Sequence, residues 1–196
     1  MSKKTWKAGT MLYPVPSVMV SCGLHDGEKN IVTIAWTGII CSDPPMLYIS
    51  VRPERYSHGI IKNSGEFVVN IPNKKLAFAT DFCGVKSGRD IDKFEHLNLH
   101  AVESNKVKAP YIDECPISIE CKVKEIVSLG SHDMFISEIC CVNVDESLLD
   151  EKDKLHLERA DLICYSHGEY WTLKESLGHF GYSIRKKEVI QRERKK

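Results

Sequence analysis

The chain has 196 residues, of which 42% are apolar, enough for one domain with a sizeable core or for a domain with a terminal extension. Its 27 basic and 27 acidic residues cancel, so no bulk field favours nucleic acid or a membrane surface. No apolar run approaches the roughly 18–20 residues needed to span a bilayer. The opening MSKKTWKAGT lacks the apolar core of a signal peptide, which points to the cytoplasm.

The segment from Ser17 to Leu24, SVMVSCGL, reads as a strand, and HDGEKN after it as a polar turn. Ile31 to Ile40 is β-branched and reads as one strand, ended by Gly38 and Asp43-Pro44-Pro45. Met46 to Val51 is another, stopped by Pro53. Tyr56 to Lys62 suits a short helix with Ile60 and Ile61 facing the core. Glu66 to Ile71 is a strand closed by Pro72. Lys74 to Cys83 has helical composition, with Gly84 at the C-cap. The polar loop VKSGRDIDKF precedes two long strands, Ile117 to Leu129 and Met134 to Val144, joined by a hairpin at Gly130-Ser131-His132-Asp133. Leu148 to Leu155 is polar with helical character, and Tyr170 to Leu173 is a short last strand. Many closely spaced strands with few, short helices predict a mainly β protein, a closed β-barrel with peripheral helices. The single domain is expected over 1–185. The basic tail RKKEVIQRERKK from Arg185 reads as a solvated terminus.

The eight cysteines form no C-x-x-C pair and show no paired zinc spacing, so they read as small buried hydrophobes and no metal is expected. Cys41 is set apart by its place within a polar-spiked strand. Among the scattered histidines, His96–His100 has i, i+4 spacing but reads as exposed loop or strand. A Rossmann glycine fingerprint, a P-loop, a nucleophile elbow and a zinc-protease helix are all missing.

The stretch from Asn30 to Pro72 carries more chemistry. Asn30, Thr33, Thr37 and Ser42 interrupt its apolar run, with Trp36 in the middle. Ser50, Val51, Arg52, Arg55, Ser57 and His58 then run from a strand end into a helix start. Free amides and guanidinium groups there can bind an anion, and an arginine can grip a phosphate at two points. The same segment also reads as a surface turn, Trp36 as core, and His132 at the hairpin tip as surface. Phosphate-sized donors recur at Val85 to Asp90, followed by Lys93. A flat aromatic ligand ending in a phosphate would satisfy both halves, and a flavin is such a ligand.

Taken in order, these landmarks resemble the flavin reductase-like family, which uses the FMN-binding split barrel. They are Asn30–Trp36, Cys41-Ser42-Asp43-Pro44-Pro45, Ser50-Val51-Arg52, Arg55-Tyr56-Ser57-His58 and Phe67 to Pro72. Ser87-Gly88-Arg89-Asp90, Asp92-Lys93-Phe94, Gly130-Ser131-His132 and Leu177 to Gly181 continue the series, so the likeness runs from about Val18 to Ser183. The resemblance implies a homodimer holding FMN noncovalently near the subunit interface. It places Asn30, Thr33, Trp36, Thr37 and Cys41 along the ring or ribityl chain. Ser50, Val51, Arg52, Arg55, Ser57 and His58 fall around the phosphate, and Lys93 and His132 reach in from later loops.

In such a site the cofactor carries the chemistry, and the protein binds, orients and tunes it. The implied reaction is hydride transfer from NAD(P)H to flavin N5 and onward delivery of electrons to an acceptor. It needs no protein nucleophile or general base, so no catalytic residue is assigned, with His132 the one candidate. Lys93 or His132 would favour the reduced flavin. The alternative is a nonenzymatic FMN electron carrier that exchanges electrons with protein partners. A barrel without flavin is a third reading.

Overall fold

A computed structural model describes residues 1–184, and the basic tail from Arg185 lies outside the described residues. The described residues form twelve strands and three α-helices. The strands are β1 Val15–Pro16, β2 Val18–Gly23, β3 Lys29–Ile34, β4 Thr37–Ser42, β5 Pro45–Val51, β6 Glu66–Ile71, β7 Ala101–Val102, β8 Tyr111–Ile112, β9 Ile117–Ser128, β10 Asp133–Val144, β11 Ile163–Ser166 and β12 Glu169–Thr172. The helices are α1 Tyr56–Ser64, α2 Ala77–Val85 and α3 Lys93–Leu97.

Seven strands make one antiparallel sheet in the order β3-β2-β6-β9-β10-β5-β4. Alternation along each strand sends one set of side chains inward. Val18, Val20 and Cys22 of β2 meet Val32 and Ile34 of β3, Leu47 and Ile49 of β5, Phe67 and Val69 of β6, and Phe135 of β10. Strands from both ends of the sheet thus share one core, so the sheet is curled into a barrel. Irregularities at Ile136/Ser137 and Ile139/Cys141, where β10 meets β9, supply the bend such long strands need. The curl brings β3 opposite β5 without pairing them, while Ser50 N donates to Trp36 O (2.8 Å) in continuation of the β4–β5 ladder. Ile61 of α1 packs into the same core, and each such fully buried side chain contributes roughly 1.5–3 kcal/mol.

The outer faces of β2 and β3 are covered by α2 and α3, with Met19 and Ile31 against Ala79, Cys83 and Phe94. Asn70 of β6, fully buried, ties the layers together. Its amide donates to Met19 O and Ser21 Oγ (both 2.9 Å), and its Oδ1 accepts from Ile112 N and Ser118 Oγ. A separate three-stranded sheet, β1-β11-β12, packs beside the barrel.

The mainly β barrel agrees with the sequence, and several boundaries do not. The expected strand over Ile31–Ile40 is two strands, because the chain turns at Ala35-Trp36 before β4 pairs with β5. The helix expected over Lys74–Cys83 is a 3-10 turn at Lys74–Leu76 followed by α2, which runs on to Val85. Gly84 is therefore inside the helix rather than its cap. A Cβ there would lie 3.3 Å from the Thr33 Cβ, so glycine lets α2 approach β3 closely. Leu148–Leu155 is not a helix. It holds the end of a 3-10 turn, Glu146–Leu148, and then a bridge between Leu149 and Leu155. His96 lies in α3, stacked on Phe82, while His100 pairs with Glu114, so the two face different partners. The short β1, β7, β8 and β11 and the helix α3 have no counterpart in the sequence reading.

Candidate functional site

The segment between β5 and α1 makes a tight turn, with Arg55 N donating to Arg52 O (3.0 Å). Arg55 stands at the N-cap of α1 in an extended conformation and supplies no capping side chain, and the first turn of the helix holds no acidic residue. His58 N donates back to Arg55 O (2.9 Å), which leaves the Tyr56 and Ser57 amides at this nine-residue helix start open to an outside anion.

Around that start lies a cavity of about 430 Å³ lined by Asn30, Arg52, Arg55, Ser57, Lys86, Ser87, Gly88, Arg89 and Lys93. Five cations line it against the single carboxylate of Glu54. Each guanidinium is held in place. Arg55 donates to Gly84 O (2.9 Å), Arg89 to Glu54 O (3.1 Å) and Arg52 to Glu54 Oε1 (3.3 Å). Arg89 also lies over the Tyr56 ring, 5.3 Å from its centroid. The Lys93 ammonium, 3% exposed, donates to Ile31 O (2.6 Å) and Cys83 O (2.9 Å), and burial lowers its pKa. Asn30 is buried and donates to Ser57 Oγ (2.8 Å), joining β3 to α1. Gly88 passes so near that a Cβ would fall 2.2 Å from Asn30 Oδ1, a cradle only glycine can form.

A second cavity of about 370 Å³ shares Val32, Arg52 and Arg55 with the first. Thr33, Trp36, Ser50, Val51 and His132 line it. The Thr33 hydroxyl is committed to Thr80 O of α2. Trp36 occupies the turn between β3 and β4, its ring 6.3 Å from Tyr13. His132 stands at the β9–β10 hairpin, beside Ser131 Oγ (2.9 Å), and burial and then Arg52 lower its pKa. Thr37 lies beyond Trp36 and donates to Tyr48 O (2.6 Å), facing a more open apolar cavity bordered by Met11, Leu12 and Ile39.

Eleven of the thirteen sequence-predicted residues therefore line these neighbouring cavities, and two do not. His58 turns to the opposite side of α1, with Nε2 2.8 Å from Asp133 Oδ2 and its ring edge-on to Phe135. Successive helical residues are about 100° apart, and here that step carries His58 away from the cavity that Ser57 lines. Cys41 sits on β4, away from the cavities, with its thiol near Asp43 O. The second cavity also takes in Ser17, Asp81, Tyr165 and Tyr170, which carried no signal in the sequence because β1, β2, α2, β11 and β12 bring them together from distant positions. Among the described residues, no group of three or more His, Cys, Asp and Glu side chains could hold a metal, and no helix is long and apolar enough to cross a membrane.

A family model described as a flavin reductase like domain matches residues 10–174. An uncharacterized protein of Archaeoglobus fulgidus is 34% identical over 145 residues, covering 74% of this chain and 81% of that protein. Among solved structures, the flavoredoxin of Desulfovibrio vulgaris (Miyazaki F) superposes with a TM-score of 0.87 at 33% identity, covering 94% of this chain and all of that one. The flavoredoxin from Methanosarcina acetivorans gives 0.84 at 26% identity over the same shares.

Proposed function

The chain belongs to the flavin reductase-like family and has its split-barrel fold, and from that premise we propose that it is an FMN-binding oxidoreductase. The cationic cavity at the start of α1 carries the reading. Its open helix amides, its surplus of guanidinium and ammonium groups and the glycine cradle at Gly88 suit a phosphate monoester. The adjoining cavity, reached past Val32, Arg52 and Arg55, suits a planar ring.

In this reading Arg52 and Arg55 hold the phosphate, with Ser57 and the amides at the start of α1. Asn30 keeps Ser57 in place through its side-chain amide, and Lys93 fixes the cradle by tying α3 to β3 and α2. Thr33, Trp36, Ser50 and Val51 border the ring. When bound, FMN would supply the redox chemistry at its ring, with NAD(P)H as the electron source. His132, with its lowered pKa, stands at the ring side as a neutral hydrogen-bonding group at pH 7, and Arg52 beside it supplies the positive field. In this reading the described residues form one cytoplasmic domain.

The same proposal includes a homodimer. β4 is an edge strand paired on one side only, by β5, and Ile39 and Ile40 on it are 66% and 48% exposed, near the exposed Met11 and Leu12. A second copy would cover this apolar strip and the cavity beside Trp36 and Thr37. Sedimentation at micromolar concentration should give twice the monomer mass.

The spectrum tests the cofactor. Protein purified with added FMN should be yellow and retain the colour through gel filtration, and anaerobic NADH or NADPH should bleach it. A colourless protein that takes up no FMN would sink the reading. A yellow protein that neither nucleotide bleaches would identify an electron carrier fed by a protein partner.

A further inference from the structure

The buried pair His58–Asp133 lies outside both cavities of the candidate site. The two residues are 7% and 9% exposed, and His58 Nε2 lies 2.8 Å from Asp133 Oδ2. The other carboxylate oxygen of Asp133 accepts from Ser128 Oγ (2.8 Å). Those bonds, Ser128 first and then His58, hold the Asp133 carboxyl below its usual range. An ionised carboxylate only accepts, so the proton of the shared bond belongs to His58 Nε2.

Serine, aspartate and histidine do not make a nucleophile here. That chemistry needs the imidazole between hydroxyl and carboxylate, whereas here the carboxylate stands between the other two. The His58 ring packs edge-on against Phe135 of the barrel core, with 5.3 Å between centroids. Burying a carboxylate is costly, and its bonds offset that cost rather than adding much net stability. The placement of the pair is more telling. Ser57, next to His58 in the chain, lines the cationic cavity, and His132, next to Asp133, lines the second one. Asp133 is also in register with Val51 of β5, another residue of the second cavity.

We propose that His58 and Asp133 are positioning residues for the bound cofactor: their hydrogen bond locks α1 to β10 and so sets the separation between Ser57 at the phosphate and His132 at the ring. Each acts through its chain neighbour and not by touching the cofactor. The inference rests on the FMN reading of the two cavities.

Asp133→Asn tests it, because it removes the charge that holds the His58 bond and nearly keeps the shape. FMN affinity, followed by quenching of flavin fluorescence, should fall about 5- to 10-fold, the worth of one hydrogen bond. The visible spectrum of the bound flavin should shift as well. In a His132→Ala background the same change should add no further spectral shift, because the residue it acts through is gone. His58→Gln, which keeps an N–H near the place of Nε2, should retain most of the FMN affinity that His58→Leu loses. Glu120→Gln, the matching change at another buried carboxylate, should move neither readout, which separates positioning from a general loss of stability. Unchanged affinity and spectrum in Asp133→Asn would overturn the proposal. So would a spectral shift that persists undiminished in the His132→Ala background. Should Asp133→Asn fail to fold, the histidine variants decide, and equal losses in His58→Gln and His58→Leu would sink it. An unsubstituted protein that binds no FMN counts against the cofactor reading instead.

Discussion

Glu120 on β9 and the cationic cavity at the start of α1 both gather charge against the same barrel, yet they are finished in opposite ways. Glu120 is fully buried, and the fold supplies every partner it needs. Its Oε1 accepts from Asn105 N and Asn143 Nδ2 (both 2.9 Å), and its Oε2 from Lys106 N (2.6 Å). The cavity instead collects five cations around one carboxylate and gives three of them backbone carbonyls as partners. Carbonyls orient a guanidinium or ammonium but do not neutralise it. A charge that serves the fold is answered within the fold. A surplus held in fixed positions and left unneutralised is answered from outside.

The sharpest test of that difference is Gly88→Ala. The added Cβ must displace the Asn30 amide and with it the bond to Ser57. FMN affinity should fall on the order of 100-fold, about 2.7 kcal/mol, with the melting temperature little changed, as calorimetric titration and thermal unfolding would show. Glu120→Ala should do the reverse. Leaving the part-buried amides at 105, 106 and 143 without their acceptor should cost about 1–3 kcal/mol of stability in urea unfolding, while FMN affinity holds. If Glu120→Ala instead abolished FMN binding, the two assemblies would be one.

Arg52→Ala comes next. Its side chain is about half exposed (51%), so solvent screens its charge, and a loss of about 5- to 10-fold in FMN affinity is expected without unfolding. A larger loss in Arg55→Ala would sharpen the comparison, because Arg55 is the better shielded of the two and is anchored on Gly84 O. The smallest effect is on pH. Burial alone would raise the Glu120 carboxyl, but the bonds from Asn143, Asn105 and Lys106 outweigh it and hold it below its usual 4.5. The unfolded chain therefore binds this proton more readily. Glu120 contributes stability above about pH 4.5, and that contribution fades as the pH falls through its lowered value. Glu120→Gln should flatten the slope of stability between pH 5 and 3, within the error of a coarse scan but resolvable in paired urea titrations.

The strands that build the barrel were legible because their β-branched runs end at turn residues, and the cationic cavity was legible because arginines and serines crowd a strand-to-helix junction. The break at Ala35-Trp36 was not. β-branched residues continue on both sides of it, and only the pairing of β4 with β5 forces the turn. His58 looked like a phosphate ligand because sequence adjacency to Ser57 says nothing of helical phase. Its true partner, Asp133, lies 75 positions away. Gly84 read as a helix end because glycine serves that role so often, whereas here it relieves a contact with Thr33 that exists only once α2 has docked. Ser17 and Tyr165 are unremarkable in their own segments and acquire meaning from the small β1-β11-β12 sheet.

The seam between β3 and β5 has a mechanical consequence. Strands elsewhere in the barrel are clamped by ladders, but here β3 and β5 face each other without one, and both cavities draw residues from the two sides of that gap. A molecule lodged there acts as a wedge and a clasp together, completing a cylinder the backbone leaves open. Its arrival should therefore register in the solvent exchange of the β3 amides that border the gap, far more than in that of amides along the β9–β10 ladder.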